Sequence, residues 1–259
     1  MIGLKTSVMG IVNVTPDSFS GGYFSGKQAT THAIQLIEDG ADIIDVGAES
    51  TRPGAREIDK NEELSRLKRV LPDIKDIDIP ISVDTYKAEV AAEAIEMGAT
   101  IINDVHGLRD PNMLKVAIEY DVPVIVVHFD RTFTGDIVDE VLDFFRKTKE
   151  NCAEHGYDTS KIIYDPGIGF NKTYAEDLTL LRRLDELKTL DGEEIKLLLG
   201  VSRKRVIGRA TGLPLDDRDD ATGAVCVHAV SKGVDIVRVH DVRKVSRMCL
   251  MADKLLKGA

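Results

Sequence analysis

Residues 162–173, IIYDPGIGFNKT, place a carboxylate at the tip of an apolar strand. The apolar run that begins at Ile162 ends abruptly in Asp165, and Pro166, Gly167 and Gly169 then impose a loop too sharp for most residues. A buried strand has no structural need of an acid, whereas a binding site built at the end of a strand does. The stretch therefore predicts a buried strand that delivers Asp165 to a site.

The same pattern recurs along the whole chain, because short β-branched runs alternate with longer segments of helical spacing. Eight runs indicate strands: SVMGIVNV, ADIIDVGA, IPISVDT, TIINDV, VPVIVVH, KIIYDPG, IKLLLGVS and VDIVRVH. They are continuous rather than alternating, which is typical of parallel strands covered on both faces. The segments between them, such as residues 27–40, 87–99 and 242–257, have the spacing of amphipathic helices.

Eight strands alternating with eight helices predict an α/β fold, a (β/α)8 TIM barrel formed by residues 1–259 as a single domain. A doubly wound open sheet is the alternative architecture. Such sheets more often have fewer strands and a nucleotide-binding loop after the first strand, so the strand count favours the barrel.

The composition restricts the partners. The chain has 259 residues and a formal charge of −10, which opposes nonspecific binding to nucleic acid or to an anionic membrane. Cys152, Cys226 and Cys249 are far apart and are expected to be reduced, buried thiols. The first residues lack the long apolar core of a signal peptide, and no run reaches the length of a membrane span. We expect a cytoplasmic protein that binds small molecules.

Polar residues follow or end each of the eight predicted strands. They are Asn13, Glu49, Asp84, Asn103, Asp104, His128, Asp165, Ser202, Arg203, Lys204, Arg238 and His240. In a barrel the carboxyl ends of all strands meet at one face, which is where the active site lies. One polar strand end is explained by a cap or a loop contact, but eight together predict a shared site.

The chemistry of this set divides in two. Asp84, Asn103 and Asp165 offer acceptors and an amide, which suit the amino and ring N–H groups of a flat heterocycle. The cationic donors, which suit phosphate or carboxylate oxygens, are Arg52, Lys204, Arg238 and His240. The site is therefore predicted to hold a base-like ring on one side and an anion on the other.

Two glycine-containing loops are predicted to be mobile lids over this face. Residues 15–26, TPDSFSGGYFSG, carry Phe19, and residues 50–58, STRPGAREI, carry Arg52. Their glycines permit close approach to a ligand.

Seven segments, in this order, closely resemble the dihydropteroate synthase family: NVTPDSFSGG, DVGAESTRPGA, SVDT, NDV, DPGIGF, GVSRK and RVHDV. The resemblance extends from Met9 to Asp241. It implies a TIM barrel that condenses 6-hydroxymethyl-7,8-dihydropterin pyrophosphate with p-aminobenzoate, giving 7,8-dihydropteroate and pyrophosphate in folate biosynthesis. It also implies a homodimer. Whether the arylamine is p-aminobenzoate itself or a modified version stays open.

The resemblance implies a role for each matching position. Asp165 and Asn103 match the residues that hold the pyrimidine edge of the pterin, and Asp84 matches a carboxylate beside the ring and its exocyclic methylene. Lys204 matches a lysine that touches the pterin and packs beside the aminobenzoate. Asp84, Lys204, Arg238 and His240 form the implied catalytic set.

The resemblance also implies two further subsites. Arg238, His240 and Asn13 match the pyrophosphate subsite, with Asn13 also a ligand of Mg²⁺. The positions that match the aminobenzoate side are Phe19, Thr51, Arg52, Pro53, Phe170 and Ser202. We expect ordered binding, with the pterin pyrophosphate first.

This sequence departs from the family pattern in two places. Asn171 stands where the family commonly has glycine, which bears on the conformation of the loop after Phe170. The segment VVHFDRT stands where family members often have Met-His-Met, which bears on the pocket wall around Val127 and Phe129. Neither departure removes a charged group from the chemistry.

Three alternatives remain in view. A pterin-binding methyltransferase that acts on a corrinoid protein would not need SRK, RVH and STRPG together. A non-catalytic pterin-binding protein would not need every motif charge intact. A metal-centred hydrolase is disfavoured because the six histidines show no HxH or HExxH spacing. His32 and His228 are predicted inside helices, and His155 near a helix end.

Overall fold

The computed structural model describes residues 5–15, 26–50, 56–131 and 135–257, and its main feature is a closed barrel of eight parallel strands. The strands of the barrel are β1 (Ser7–Asn13), β2 (Ile43–Gly47), β3 (Ile81–Asp84), β4 (Ile101–Asp104), β5 (Val124–Val127), β6 (Ile162–Asp165), β9 (Lys196–Leu199) and β10 (Ile236–Val239). Two short strands, β7 (Thr189–Leu190) and β8 (Glu193–Glu194), form a separate antiparallel pair. Each of the eight predicted runs contains one barrel strand, so the predicted TIM barrel is confirmed.

Helices connect the strands over the outside of the barrel. They are α1 (Gly26–Glu38), α2 (Lys60–Leu67), α3 (Leu71–Ile74), α4 (Ala88–Glu96), α5 (Pro111–Glu119), α6 (Ile137–Glu154), α7 (Tyr174–Arg182), α8 (Arg205–Thr211), α9 (Asp219–Ser231) and α10 (Val242–Lys257). Among the described residues no helix is long and apolar enough to cross a membrane.

The described residues form ten α-helices, where the sequence predicts eight. The charge-dense segment after β2 divides into α2 and α3, because Pro72 starts a new helix and its ring does not suit a helix interior. The segment between β9 and β10 holds α8 before α9, and α8 ends at Gly212, whose φ of 75° is left-handed.

Acidic residues begin several of these helices. Asp59, Asp110 and Asp136 accept hydrogen bonds from the first backbone N–H groups of α2, α5 and α6. Thr173 and Glu176 form a capping box at the start of α7. The capping residues thus set where the chain turns from each loop into its helix.

The barrel interior is filled by nine buried apolar side chains. They are Met9, Ile43, Ile101, Val105, Ile125, Val127, Ile163, Leu198 and Ile236. A second and larger apolar cluster lies between the strands and the surrounding helices. Both faces of the strands are therefore buried, which explains why the strands are continuous apolar runs.

The two-residue period of a strand decides what lies above this apolar floor. Side chains two positions apart point to the same face. The residues two positions after the five interior isoleucines are therefore directed into the barrel at its carboxyl end, and four of the five are polar: Asp45, Asn103, Asp165 and Arg238. Apolar side chains therefore fill the barrel interior, and polar side chains from the same strand faces form a layer above them at the carboxyl end.

The chain closes the barrel where its first and last described elements meet. The buried Asp253, on α10, accepts hydrogen bonds from the backbone N–H of Thr6 at 2.7 Å and from its hydroxyl at 3.0 Å. Thr6 immediately precedes β1. The C-terminal helix therefore holds the strand that pairs with both β2 and β10.

Replacing Asp253 with alanine should lower the free energy of unfolding by about 2 kcal/mol, because the buried amide and hydroxyl of Thr6 lose this carboxylate acceptor. Urea unfolding measures the effect. Lys254→Ala, at the exposed neighbouring position, is the control and should leave the free energy nearly unchanged. Equal stability of the two variants would contradict this account of barrel closure.

Candidate active site

One arginine spans the mouth of the barrel. Arg238, on β10, donates from Nε to Oδ2 of Asp45 on β2 at 2.6 Å, and from Nη2 to Oδ2 of Asp84 on β3 at 2.7 Å. Asp45 is fully buried and Asp84 nearly so. A guanidinium with several donors can satisfy both carboxylates at once, so the three side chains form one buried cluster.

Asp45 is the functional residue that the sequence reasoning missed, since only residues at strand ends were considered. Asp45 lies in the middle of the run IIDVG. The signal was present nonetheless, because Asp45 follows Ile43 by two positions just as Asn103 follows Ile101. The Asp45 carboxylate also accepts weak hydrogen bonds of 3.4 Å from Nδ2 of Asn103. These contacts orient the amide of Asn103 and direct its carbonyl oxygen away from Asp45.

Asp84 has one oxygen engaged and one available. Its Oδ2 accepts from Arg238, whereas Oδ1 is buried with no hydrogen-bond partner among the described residues. Burial raises the pKa of Asp84 to about 7, against the opposing effect of Arg238. An unsatisfied buried acceptor is costly, and a ligand that donates an N–H to it would remove the cost.

Asn13 lies at the same level of the barrel as Asp84. The strand register pairs Asn13 with Gly47, Gly47 with Asp84, and Asp84 with Asn103. A Cβ at Gly47 would lie 3.4 Å from Cβ of Asp84. Gly47 thus places no side chain between the half-buried Asn13 and the carboxylate of Asp84.

Asp165 and Lys204 meet on the other side of the mouth. Oδ1 of Asp165 accepts from the backbone N–H of Gly167 at 2.7 Å. A Cβ at Gly200 would lie 3.4 Å from Oδ2 of Asp165 and 3.8 Å from Nζ of Lys204, so both groups border this glycine. Burial raises the pKa of Asp165, and Lys204 opposes that shift.

Lys204 links this acid to an aromatic side chain. Its Nζ donates to the carbonyl of Ile168 at 2.6 Å and lies 4.5 Å from the ring centroid of Phe170. Burial lowers the pKa of Lys204 to about 8, with Asp165 acting in the opposite direction. The ammonium of Lys204 therefore lies between the Asp165 carboxylate and the Phe170 ring.

Ser202 and His240 form a pair beside this group. Their Oγ and Nδ1 atoms are 2.9 Å apart, and the backbone N–H of His240 donates to Oγ of Ser202 at 3.2 Å. The residues come from the loops that follow β9 and β10. The predicted closeness of these two strand ends is therefore observed.

The departures at Asn171 and Phe129 have clear structural consequences. Asn171 has a φ of 45°, a left-handed conformation that asparagine tolerates better than most residues, so it keeps the backbone that a glycine would adopt. Its Nδ2 donates to Oδ1 of Asp130 at 3.2 Å. Phe129 packs against Phe170, with ring centroids 5.4 Å apart. The wall after β5 is thus aromatic.

Some predicted positions do not join the site. His128 is buried against α6, where it contacts Phe144 and lies 3.9 Å from Glu140, and burial lowers its pKa to about 3. Asp104 accepts from the backbone N–H groups of His106 and Leu108 and anchors its own loop. The prediction of one shared site was wrong for His128, because Val127 takes the inward position on β5, and for Arg203, which pairs with Asp219 on α9. On β4, Asn103 rather than Asp104 faces the barrel.

Much of both predicted lids lies outside the described residues. Four residues predicted for the site lie there too: Phe19, Thr51, Arg52 and Pro53. The base of the second loop is described. The carboxylate of Glu49 accepts from the backbone N–H of Ile58 at 2.9 Å and from Nζ of Lys87 at 2.6 Å. Glu49 therefore ties together the two ends of the segment that contains residues 51–55.

The described residues contain no group of three His, Cys, Asp or Glu side chains that could hold a metal ion. A single amide oxygen, such as that of Asn13, suits Mg²⁺ only when water and substrate phosphates supply the remaining ligands.

The chain is similar in sequence and in fold to known pterin-binding enzymes. A family model described as "Pterin binding enzyme" matches residues 9–240. The dihydropteroate synthase of Bacillus subtilis is 47% identical over 258 residues, covering 97% of this chain and 89% of the relative. A structure of the enzyme from Clostridium difficile, obtained in the presence of pteroic acid, has a TM-score of 0.92 and 44% identity, covering 98% and 97% of the two chains. The Xanthomonas albilineans enzyme with 4-aminobenzoic acid has a TM-score of 0.90 and 36% identity, covering 97% and 93%.

The raised pKa of Asp84 has a measurable effect on stability. Its folded pKa, about 7, exceeds its unfolded value, so the folded protein holds an extra proton between about pH 4 and pH 7 and loses stability as pH rises through that range. Asp84→Asn removes this loss. Its advantage over the unmodified protein should therefore grow by roughly 2 kcal/mol between pH 5 and pH 8.

Urea unfolding at the two pH values measures this difference. Asp216→Asn, at an exposed position, is the control and should differ from the unmodified protein by the same amount at both pH values. If Asp84→Asn behaves like this control, Asp84 ionises in the folded protein as it does in the unfolded chain, and the burial argument fails.

Proposed function

The chain belongs to the dihydropteroate synthase family of pterin-binding enzymes, and we propose specific roles in that reaction for the residues at its barrel mouth. Its activity is the transfer of a pterinylmethyl group to p-aminobenzoate in folate biosynthesis. The proposal treats residues 1–259 as one pterin-binding domain. The observation that carries it is the unsatisfied Oδ1 of Asp84, which lies in a buried cluster of acceptors above an apolar floor.

The pterin occupies the acceptor side in this proposal. Asp84, Asp165 and the amide oxygen of Asn103 accept hydrogen bonds from the amino and ring N–H groups of the pterin. The apolar floor, including Ile125 and Ile163, supports the flat ring from below. Because Arg238 and the N–H of Gly167 already hold the two carboxylates, little reorganisation is needed on binding.

The chemical step needs no protein nucleophile. The bond between the exocyclic methylene carbon and the pyrophosphate oxygen breaks, and its electron pair leaves with pyrophosphate. The lone pair of the aminobenzoate nitrogen forms the new carbon–nitrogen bond, and that nitrogen then loses a proton. The ionised Asp84 stabilises the positive charge that develops on the pterin.

The leaving group lies beside His240 and Arg238 in this proposal. Nδ1 of His240 is oriented by Ser202, and the Arg238 bonds to Asp45 and Asp84 use its Nε and Nη2 atoms. The cluster therefore directs a guanidinium edge and an imidazole toward departing anionic oxygens. The aminobenzoate lies near Phe170 and Lys204. The roles that the resemblance implies for Phe19, Thr51, Arg52 and Pro53 stay predictions.

Mg²⁺ is proposed to bind together with the pyrophosphate. Asn13 offers one amide oxygen, and Mg²⁺ commonly takes few protein ligands together with substrate phosphates and water. When bound, the ion supplies electrostatic stabilisation of the leaving group. Asn13 holds its place through the strand pairing of β1 with β2.

His240 gives the sharpest test of these roles. His240→Ala should weaken binding of the pterin pyrophosphate about 10-fold or more, because an anion contact is lost, and should change affinity for the neutral pterin alcohol by less than about threefold. Calorimetry measures both constants, and pyrophosphate release in the unmodified enzyme should require both substrates. His155→Ala, at an exposed helix end, is the control.

Two results would contradict the proposal. Equal losses for the alcohol and the pyrophosphate would make His240 a structural residue. Pyrophosphate release without aminobenzoate, or none with both substrates present, would show that the mouth does not carry out this condensation.

A homodimer is also proposed. Val227, on α9, and four residues of the neighbouring α10 are exposed apolar side chains; those of α10 are Leu250, Met251, Leu255 and Leu256. An apolar groove lies between α7 and α9 and is lined by Leu178, Leu181, Ala224 and Val225. Exposed apolar side chains and an apolar groove suit a two-fold interface, in which the apolar ridge of each copy enters the groove of the other.

Met251→Glu should therefore yield monomers, because a charge would be buried at the interface. Sedimentation velocity of the unmodified protein and the variant measures the assembly. Lys115→Glu, at an exposed position on α5 across the barrel from α10, is the control and should remain dimeric. A monomeric unmodified protein, or a dimeric Met251→Glu variant, would rule out this interface.

A further inference from the structure

Lys172 is a buried lysine at which three backbone carbonyls converge. The residue is only 6% exposed. Its Nζ donates to the carbonyls of His128 at 2.8 Å, Gly167 at 2.9 Å and Phe170 at 3.2 Å. The three donors of the ammonium are thus matched by three acceptors. Two of these carbonyls belong to the loop between β6 and α7, and the third follows β5.

Four further backbone groups of this loop also have hydrogen-bond partners. The N–H of Gly167 donates to Asp165, that of Gly169 to Oδ1 of Asp177 at 2.7 Å, and that of Phe170 to the carbonyl of Gly167 at 3.1 Å. The carbonyl of Ile168 accepts from Lys204. The loop therefore wraps around two lysines, one inside it and one at its outer edge.

The loop is packed too closely to accept a different arrangement easily. A Cβ at Gly167 would lie 2.1 Å from the carbonyl oxygen of His128, and Gly167 has a φ of 67°. Without the Lys172 ammonium, the carbonyls of His128 and Phe170 would lose this donor, and the carbonyl of Gly167 would keep only the backbone N–H of Phe170. Converging carbonyl dipoles repel, and their desolvation is costly.

The charge of Lys172 is itself maintained against burial. Burial lowers its pKa to about 8, and the charged groups that face it are Asp165 on β6, Asp177 on α7, Glu140 on α6 and Lys204 after β9. Asp165 and Asp177 favour the ammonium, whereas Lys204 opposes it. Burial of the ammonium costs free energy, and the neighbouring carboxylates offset that cost only in part. The three hydrogen bonds to carbonyls are therefore needed to hold the charged Lys172 inside the fold.

We propose that Lys172 is a positioning residue for the arylamine side of the site, because it fixes the loop that presents Phe170 and the carbonyl partner of Lys204. This inference rests on the proposed function. It assigns to Lys172 no contact with either substrate. Its effect passes through Phe170 and through Ile168, whose carbonyl holds the Lys204 ammonium 4.5 Å from the Phe170 ring.

The test replaces Lys172 with methionine, which keeps the length of the side chain and removes its donors. The KM for p-aminobenzoate should rise about 10-fold or more, while kcat at saturating aminobenzoate and the affinity for the neutral pterin alcohol change by less than about threefold. Asp165 keeps its place at the end of β6 and loses at most the hydrogen bond from the loop N–H of Gly167, so the pterin is affected less than the arylamine. Amide hydrogen exchange in residues 166–171 should become faster while the barrel strands stay protected.

The matched control is Lys161→Met. Lys161 also donates to a backbone carbonyl, that of Asp121 at 2.9 Å, but it precedes β6 at the opposite end of the same strand. Its KM values and the exchange in residues 166–171 should match those of the unmodified enzyme. Lys172→Gln, which retains two side-chain N–H donors, guards against failure of the methionine variant to fold and should give a smaller rise in KM.

The outcomes separate this inference from the proposed function. An unchanged KM for aminobenzoate in Lys172→Met, or equal losses for arylamine and pterin, would overturn the positioning role while the enzyme remained a synthase. If the unmodified protein formed no product, the proposed function would fail, and the exchange of residues 166–171 would still show whether Lys172 orders the loop.

Discussion

The Arg238 guanidinium is the interaction on which the mouth of the barrel depends. Asp45 and Asp84 lie buried on adjacent strands, where two carboxylates repel strongly unless a cation lies between them. Arg238 reaches both from β10 and so connects three strands at the level of the site. Removing it would leave two buried charges uncompensated, whereas removing either acid leaves a paired arginine.

The same device recurs around the rim, since three lysines each lie among several acceptors. Lys172 binds three carbonyls, Lys204 binds Ile168 beside Asp165, and Lys87 lies between Glu49 and Glu63 at 2.6 and 2.7 Å. Each cation ties a segment at the mouth of the barrel to its neighbours. The loops can therefore be ordered at their bases without an apolar core of their own.

The sequence predicted the fold in detail and the site in part. Each apolar run contained a barrel strand, and Asp84, Asn103, Asp165, Lys204 and Arg238 were identified correctly as strand-end residues of one mouth. Asp45 was missed because it lies inside its strand. His128 was included wrongly because a polar residue after a strand can face either the barrel or the helices. The sequence prediction of eight helices did not use Pro72 and Gly212, although proline near a helix start and glycine after a helix end mark the additional helix boundaries that the structure shows.

The sequence by itself determined what depends on consecutive residues: the strand runs, the helix caps, the glycines of the sharp loops and the alternation that places a polar residue two positions after an apolar one. Only the tertiary structure decided which distant groups meet. Arg238 and Asp45 are separated by 193 positions, and their contact exists because closure of the barrel brings β10 and β2 to opposite sides of β1. The protonation of Asp84 and the three acceptors of Lys172 follow from that closure, because burial and partners are properties of the assembled barrel and not of the local chain.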